Sequence, residues 1–230
     1  LTSNERQQVE GYLARKWGLQ GSTSSFTTFI PTQISNCALW LDAADSTTVT
    51  LSGSNVTAWA DKSGNARNAS VVGTITRSNT INGVNAMVYS GASNTYFTGA
   101  VTNTGTTLTA IAVFIMNSSS FDAARVISLS RPATFDYDSA LYASPILRRV
   151  GSNLGSFRNF ANVSVSAALG IPTLFSSVYN GSSNIIHLNG GTSNSVASTG
   201  TFGYTIYQVG SSIREDSFAN YSGSIGEVIV

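Results

Sequence analysis

Thr2-Ser3-Asn4-Glu5-Arg6-Gln7-Gln8-Val9-Glu10-Gly11-Tyr12-Leu13-Ala14-Arg15-Lys16-Trp17-Gly18 decides how the chain is read. Thr2 and Glu5 stand three apart, the spacing of a capping box in which each side chain meets the other residue's backbone N–H. Val9, Tyr12, Leu13, Lys16 and Trp17 recur at helical spacing on one face. Arg15 and Lys16 suit the negative end of the helix dipole, and Gly18 suits the left-handed residue that closes a helix. These residues predict one amphipathic helix ending near Trp17.

Beyond it, short alternating runs are punctuated by Asn, Gly and Ser, the pattern of an all-β domain. Ala38-Leu39-Trp40-Leu41 and Val56–Ala60 read as strands, with Trp40 and Trp59 directed into the core. The residues after Asp42 read as a loop. Ala69–Ile75, 85–90, 125–129, 139–142, 146–150, 154–160, 173–179, 184–188, 205–209 and 225–230 follow as strands, several at sandwich spacing. Leu108–Met116, rich in Ile, Val and Phe, is the candidate central strand, buried on both faces. The organisation expected is an amphipathic helix at 1–19 packing on a sandwich, a polar linker at 20–30, and a β-sandwich at 31–230.

Several motifs, in order, resemble concanavalin A-like, laminin-G-like jelly-roll modules. They are Leu39-Trp40-Leu41-Asp42-Ala43, Trp59-Ala60-Asp61-Lys62-Ser63-Gly64-Asn65, Tyr89-Ser90-Gly91, Tyr179-Asn180-Gly181 and the closing Tyr221–Val230. Glu5-Arg6, Val9-Glu10, Tyr12-Leu13 and Lys16-Trp17-Gly18 resemble the terminal helix of that family, which there follows the last strand and here precedes the first. The resemblance implies an all-β, concanavalin-like jelly-roll sandwich of two antiparallel sheets with one short N-terminal helix, in a permuted or tandem-repeat frame. An apolar helix face needs a surface to cover it. The helix is therefore expected beside the C-terminal strand, or on a neighbouring unit or subunit.

Only 10% of the residues are charged and the net charge is +1, so nucleic acid and anionic membrane are not expected partners. Ser, Thr and Asn make up about a third of the chain, a neutral hydrogen-bonding surface suited to an extracellular, cell-surface or virion-surface location. No apolar run is long enough to span a bilayer. The absence of an initiator Met suggests that Leu1 is a processed end or an internal point of a longer polypeptide. Cys37, the one cysteine, excludes an internal disulfide and reads as a small buried residue. Six glycosylation sequons are close to the number expected by chance in this composition.

Glycoside hydrolysis requires a pair of suitably placed carboxylates. The alternating Glu-X-Asp-X-Glu of glucanases with this fold is missing; Asp136 with Asp138 falls in an aromatic loop, and Glu215-Asp216 reads as solvated charge. His187 is alone, without a nucleophile or ligand set around it. No enzymatic activity and no cofactor are expected, calcium excepted: Asp42, Asp45, Asp61 and Asn65 lie in two loops that could converge and offer several oxygens. Two functions remain. The first is a structural or adhesive module, a repeat or subunit of a virion fibre, capsid decoration or cell-surface assembly, with like modules or neighbouring subunits as partners. The alternative is a lectin-like module in which Tyr96, Tyr137, Tyr142, Tyr204 or Tyr221 stacks on glycans.

Overall fold

A computed structural model describes residues 1–19, 29–117, 124–130, 146–150, 153–158, 161–211 and 221–230. The helix α1 (Ser3–Lys16) begins as its sequence predicts: Thr2 accepts from the Glu5 N–H and Glu5 accepts from the Thr2 N–H. It ends at Trp17, followed by Gly18 at φ 63°. Asn82, in the turn of a neighbouring hairpin, donates to the Trp17 and Gly18 carbonyls and satisfies the end of the helix.

Among the described residues seventeen strands follow in chain order: β1 (Trp40–Asp42), β2 (Val49–Ser52), β3 (Asn55–Trp59), β4 (Ala69–Val72), β5 (Thr76–Ile81), β6 (Val84–Ser90), β7 (Tyr96–Gly105), β8 (Leu108–Met116) and β9 (Arg125–Ser130). The series continues with β10 (Ile146–Val150), β11 (Asn153–Arg158), β12 (Ala161–Ser166), β13 (Thr173–Tyr179), β14 (Ser183–Leu188), β15 (Thr192–Ala197), β16 (Phe202–Val209) and β17 (Ser222–Ile229). One antiparallel sheet runs β5-β6-β17-β8-β13-β14-β15, with β1 pairing the C-terminal half of β17. The other runs β2-β3-β4-β7-β16-β9-β10-β11-β12. A single bridge from Asn55 to Thr76 links them. The chain is a concanavalin-like jelly roll.

Two apolar layers result. Trp59, Phe97, Phe114, Tyr207 and Val209 fill the space between the sheets. Val9, Leu13 and Trp17 of the helix segment cover Ile111, Val113, Leu174 and Ile229 on the outer face of the first sheet. Burial of such side chains stabilises by roughly 1.5–3 kcal/mol apiece. β8 is therefore buried on both faces, as its unbroken apolar run predicts. Trp40 is buried too, but under the helix and not between the sheets.

A register shift between Ile225 and Glu227 gives β17 its chemistry. Ile225, Val228 and Val230 face the inner core, whereas Ile229 joins the layer beneath the helix. The extra residue, Gly226, switches the alternation midway and turns Glu227 toward the helix. Gly226 must be small, because a Cβ there would lie 2.6 Å from the Trp17 ring.

Several expectations need correction. Val49–Ser52, expected as loop, is a strand, and Pro31–Gln33 is a single 3-10 turn. Cys37, expected as buried, is half-buried and precedes β1. Residues 20–28 of the expected linker and 139–142 of an expected strand lie outside the described residues.

Candidate functional site

The densest group of polar side chains lies where the helix meets the first sheet. Glu227 is fully buried, and each of its oxygens is occupied. Oε1 accepts from Trp40 Nε1 at 2.6 Å and from the Tyr12 hydroxyl at 3.1 Å. Oε2 accepts from Lys16 Nζ at 2.7 Å and from Trp17 Nε1 at 2.8 Å. Asp42 stands directly opposite Glu227 in the ladder. Its Oδ1 is 2.5 Å from Lys16 Nζ and its Oδ2 is 2.8 Å from Lys62 Nζ. Lys62 also meets Asp45 at 2.8 Å and lies over the Trp40 ring, 4.3 Å from its centroid. Burial raises the Glu227 pKa and the Asp42 charge adds to it, while Lys16 pulls the other way. Lys62 and Thr47 hold Asp45 well below the usual carboxylate range. Burial opposes the charge on Lys62, but Asp42 and Asp45 prevail and raise its pKa.

Each of the four candidate calcium ligands has partners within the chain. Asp42 and Asp45 are turned onto ammonium groups. Asp61 accepts from the backbone N–H groups of Trp40, Ser63 and Arg67, and Asn65 donates to the Cys37 carbonyl. The four residues serve as ion-pair partners and turn braces. Among the described residues no group of three or more His, Cys, Asp or Glu side chains is placed to hold a metal.

Of the tyrosines, Tyr204 and Tyr221 are 1% and 2% exposed. They cannot offer a ring face to a sugar: Tyr204 stacks on Phe202, and the Tyr221 hydroxyl donates to the Ile115 carbonyl. Tyr96 is half-exposed at the start of β7. Tyr137 and Tyr142, like Asp136, Asp138, Glu215 and Asp216, lie outside the described residues. His187 is half-buried on β14, and burial, then the nearby Arg6, lowers its pKa.

An open cleft of about 400 Å³ lies beside the start of the helix. Val9, Leu108, Ile111 and Ile229 are among its apolar lining residues, and Asn36, Asn103, Thr104 and Thr109 among its polar ones. A second cleft of about 380 Å³ shares Asn36 and Thr107 with the first and reaches Asn180 and Glu5. Glu5 is the one acidic side chain among the residues lining either cleft, and Leu1, whose amine donates to Thr109 Oγ1 at 3.4 Å, lines both. The clefts thus combine apolar side chains with a few polar groups able to hydrogen-bond, as small-molecule sites do. Asp42 and Glu227 do sit side by side, but at 2% and 0% exposure they are shielded from a substrate by the helix.

Sequence reasoning quoted Lys16, Lys62 and Glu227 inside motifs without bringing them together. One signal was present: Glu227 is a lone charge in an apolar strand, and a buried charge needs partners.

No family model matches the sequence, and no curated protein matches it. Solved structures do match in shape. Domain 4 of AbnA, a GH43 extracellular arabinanase from Geobacillus stearothermophilus described in complex with arabinotriose, superposes with a TM-score of 0.58 at 11% identity, over 84% of this chain and 90% of that one. A GH54 α-L-arabinofuranosidase superposes with a TM-score of 0.57 at 12% identity, over 86% of this chain; the match spans 56% of the enzyme's length. A third, an arabinofuranosidase complexed with arabinofuranosyl-α-1,2-xylobiose, gives 0.51 at 13% identity, over 85% of this chain and 55% of that one. At these identities the likeness establishes the fold.

Proposed function

We propose that the chain is a non-catalytic carbohydrate-binding module acting outside the cell. The observation that carries this reading is the pair of adjoining clefts, whose lining mixes Asn and Thr side chains with Val9, Leu108 and Ile111 and holds Glu5 as its one acidic side chain. The likeness to the arabinanase domain supports it, because that domain is described with a bound trisaccharide and covers nearly all of both chains. Among the described residues no helix is long and apolar enough to cross a membrane, which accords with a secreted or displayed module.

The other reading, a structural or adhesive unit of a virion or cell-surface assembly, drew its force from a helix in need of a partner. That need is met within the chain, since the helix lies on β8, β13 and β17 of its own sandwich. Carbohydrate binding therefore takes precedence, with attachment or assembly as the setting in which it operates.

A glycan array that includes linear arabino- and xylo-oligosaccharides, followed by calorimetry on any hit, tests the proposal. Thr107 lines both clefts, so Thr107→Trp should abolish the binding while leaving the melting temperature near that of the parent. No binder on the array, or binding unchanged by Thr107→Trp, would overturn this reading.

A further inference from the structure

Lys16, Asp42 and Glu227 have a geometry that an ion pair alone does not require. Lys16 Nζ lies 2.5 Å from Asp42 Oδ1 and 2.7 Å from Glu227 Oε2, so one amine touches a potential electrophile and a proton acceptor at once. The two carboxylates are register partners on β1 and β17, which fixes them side by side. Tyr12, Trp17 and Trp40 enclose the group and limit access of water. In such surroundings charges are weakly screened, and exchanging an ammonium–carboxylate pair for neutral groups relieves the cost of burial.

We propose that Lys16 and Asp42 condense into an intramolecular isopeptide bond, with Glu227 relaying the protons. Glu227 takes a proton from the Lys16 ammonium, and the free amine attacks Cγ of Asp42. Lys62, held on Oδ2 by its position over Trp40 and beside Asp45, faces the negative charge that develops on that oxygen. Glu227 passes its proton to Oδ1, relays a second from the nitrogen, and the C–Oδ1 bond breaks. The ammonium and carboxylate thereby become one amide and one water, and Glu227 ends as the carboxylate it began as. No oxidant, nucleotide or metal is required. The fold supplies proximity, which can convert a sluggish reaction between separate groups into an efficient intramolecular one. Lys62 also touches Asp42, but its other contacts are Asp45 and the Trp40 ring, whereas Glu227 is bound to Lys16. Lys16 is for that reason the nucleophile.

The product would tether the helix to the first strand of the sandwich by a covalent bond, a modification independent of what the clefts bind. Mass spectrometry of the unfolded chain tests it. The expected mass is that of the sequence less one water, and Lys16→Arg and Glu227→Gln should each restore the full value. Trypsin cuts after Lys16 and next after Lys62 in an unlinked chain, releasing residues 17–62. The linked chain instead gives residues 16–62 less one water, and chymotryptic cleavage within that fragment leaves two peptides still joined. The parent protein decides the question even if a variant fails to fold. Full mass with free Lys16 overturns the proposal; so does loss of water from residues 17–62 alone, which marks an aspartyl succinimide.

Discussion

Replacing Trp17 by alanine tests whether the helix is an integral part of the sandwich. The ring is fully buried, lies over the space above Gly226 and donates from Nε1 to Glu227 at 2.8 Å. Truncating a buried tryptophan costs about 3–5 kcal/mol. In a domain of this size each kcal/mol moves the melting temperature by about 2–4 °C, so a fall of about 6–20 °C is expected. Trp17→Phe separates the two contributions: it keeps most of the packing and removes the N–H, whose bond to a charged acceptor is worth about 1.5–3 kcal/mol. The assay is urea unfolding followed by far-ultraviolet circular dichroism, with calorimetry for the melting temperature. Removing residues 1–19 should destabilise at least as much as Trp17→Ala. If Trp17→Ala stays within about 0.5 kcal/mol of the parent, the range of an ordinary surface substitution, helix docking contributes nothing and the reasoning fails.

Three further outcomes are expected. Gly226→Ala places a Cβ 2.6 Å from the Trp17 ring and should cost about 1–3 kcal/mol through overpacking, less when combined with Trp17→Ala, as a double-mutant cycle in urea would show. Burial, reinforced by Asp61, pushes the Cys37 thiol up to about 11. Because the thiolate is the nucleophile, alkylation by iodoacetamide should be slow at neutral pH and accelerate only as pH approaches that value; rapid labelling at pH 7 would contradict the placement of Cys37. Calcium at millimolar concentration should leave the melting temperature unchanged, since Asp42 and Asp45 already face lysines, and a saturable rise would reinstate the metal reading.

The helix was legible in the sequence because its signals are local: Thr2 with Glu5 at one end, Gly18 at the other, and apolar residues at helical spacing between. β8 was legible because both of its faces are covered, leaving an unbroken apolar run. The strands passed over carry weaker patterns. In β2, Thr50, Leu51 and Ser52 are all exposed, and β5 has three consecutive exposed residues, so neither shows a clean alternation. Their strand character comes from pairing with β3 and β6, which is a property of the fold. The polar cluster was hidden for the same reason: Lys16, Asp42 and Glu227 are far apart in sequence and meet only through the ladder and the bulge at Gly226. The tyrosines illustrate the limit of composition, since Tyr204 and Tyr221 carry hydroxyls yet serve as packing.

The partnership of Trp17 with Glu227 spans 210 positions of the chain and sets an order of events during folding. Local contacts can form the α-helical turn early, but its seat does not exist until β17 has joined β8 and β6. During synthesis the helix, made before β17, must remain undocked, with Val9, Leu13 and Trp17 open to solvent, until β17 has emerged. Nascent chains arrested before residue 222 should thus be those that engage chaperones, and emergence of β17 the step that lets the helix dock.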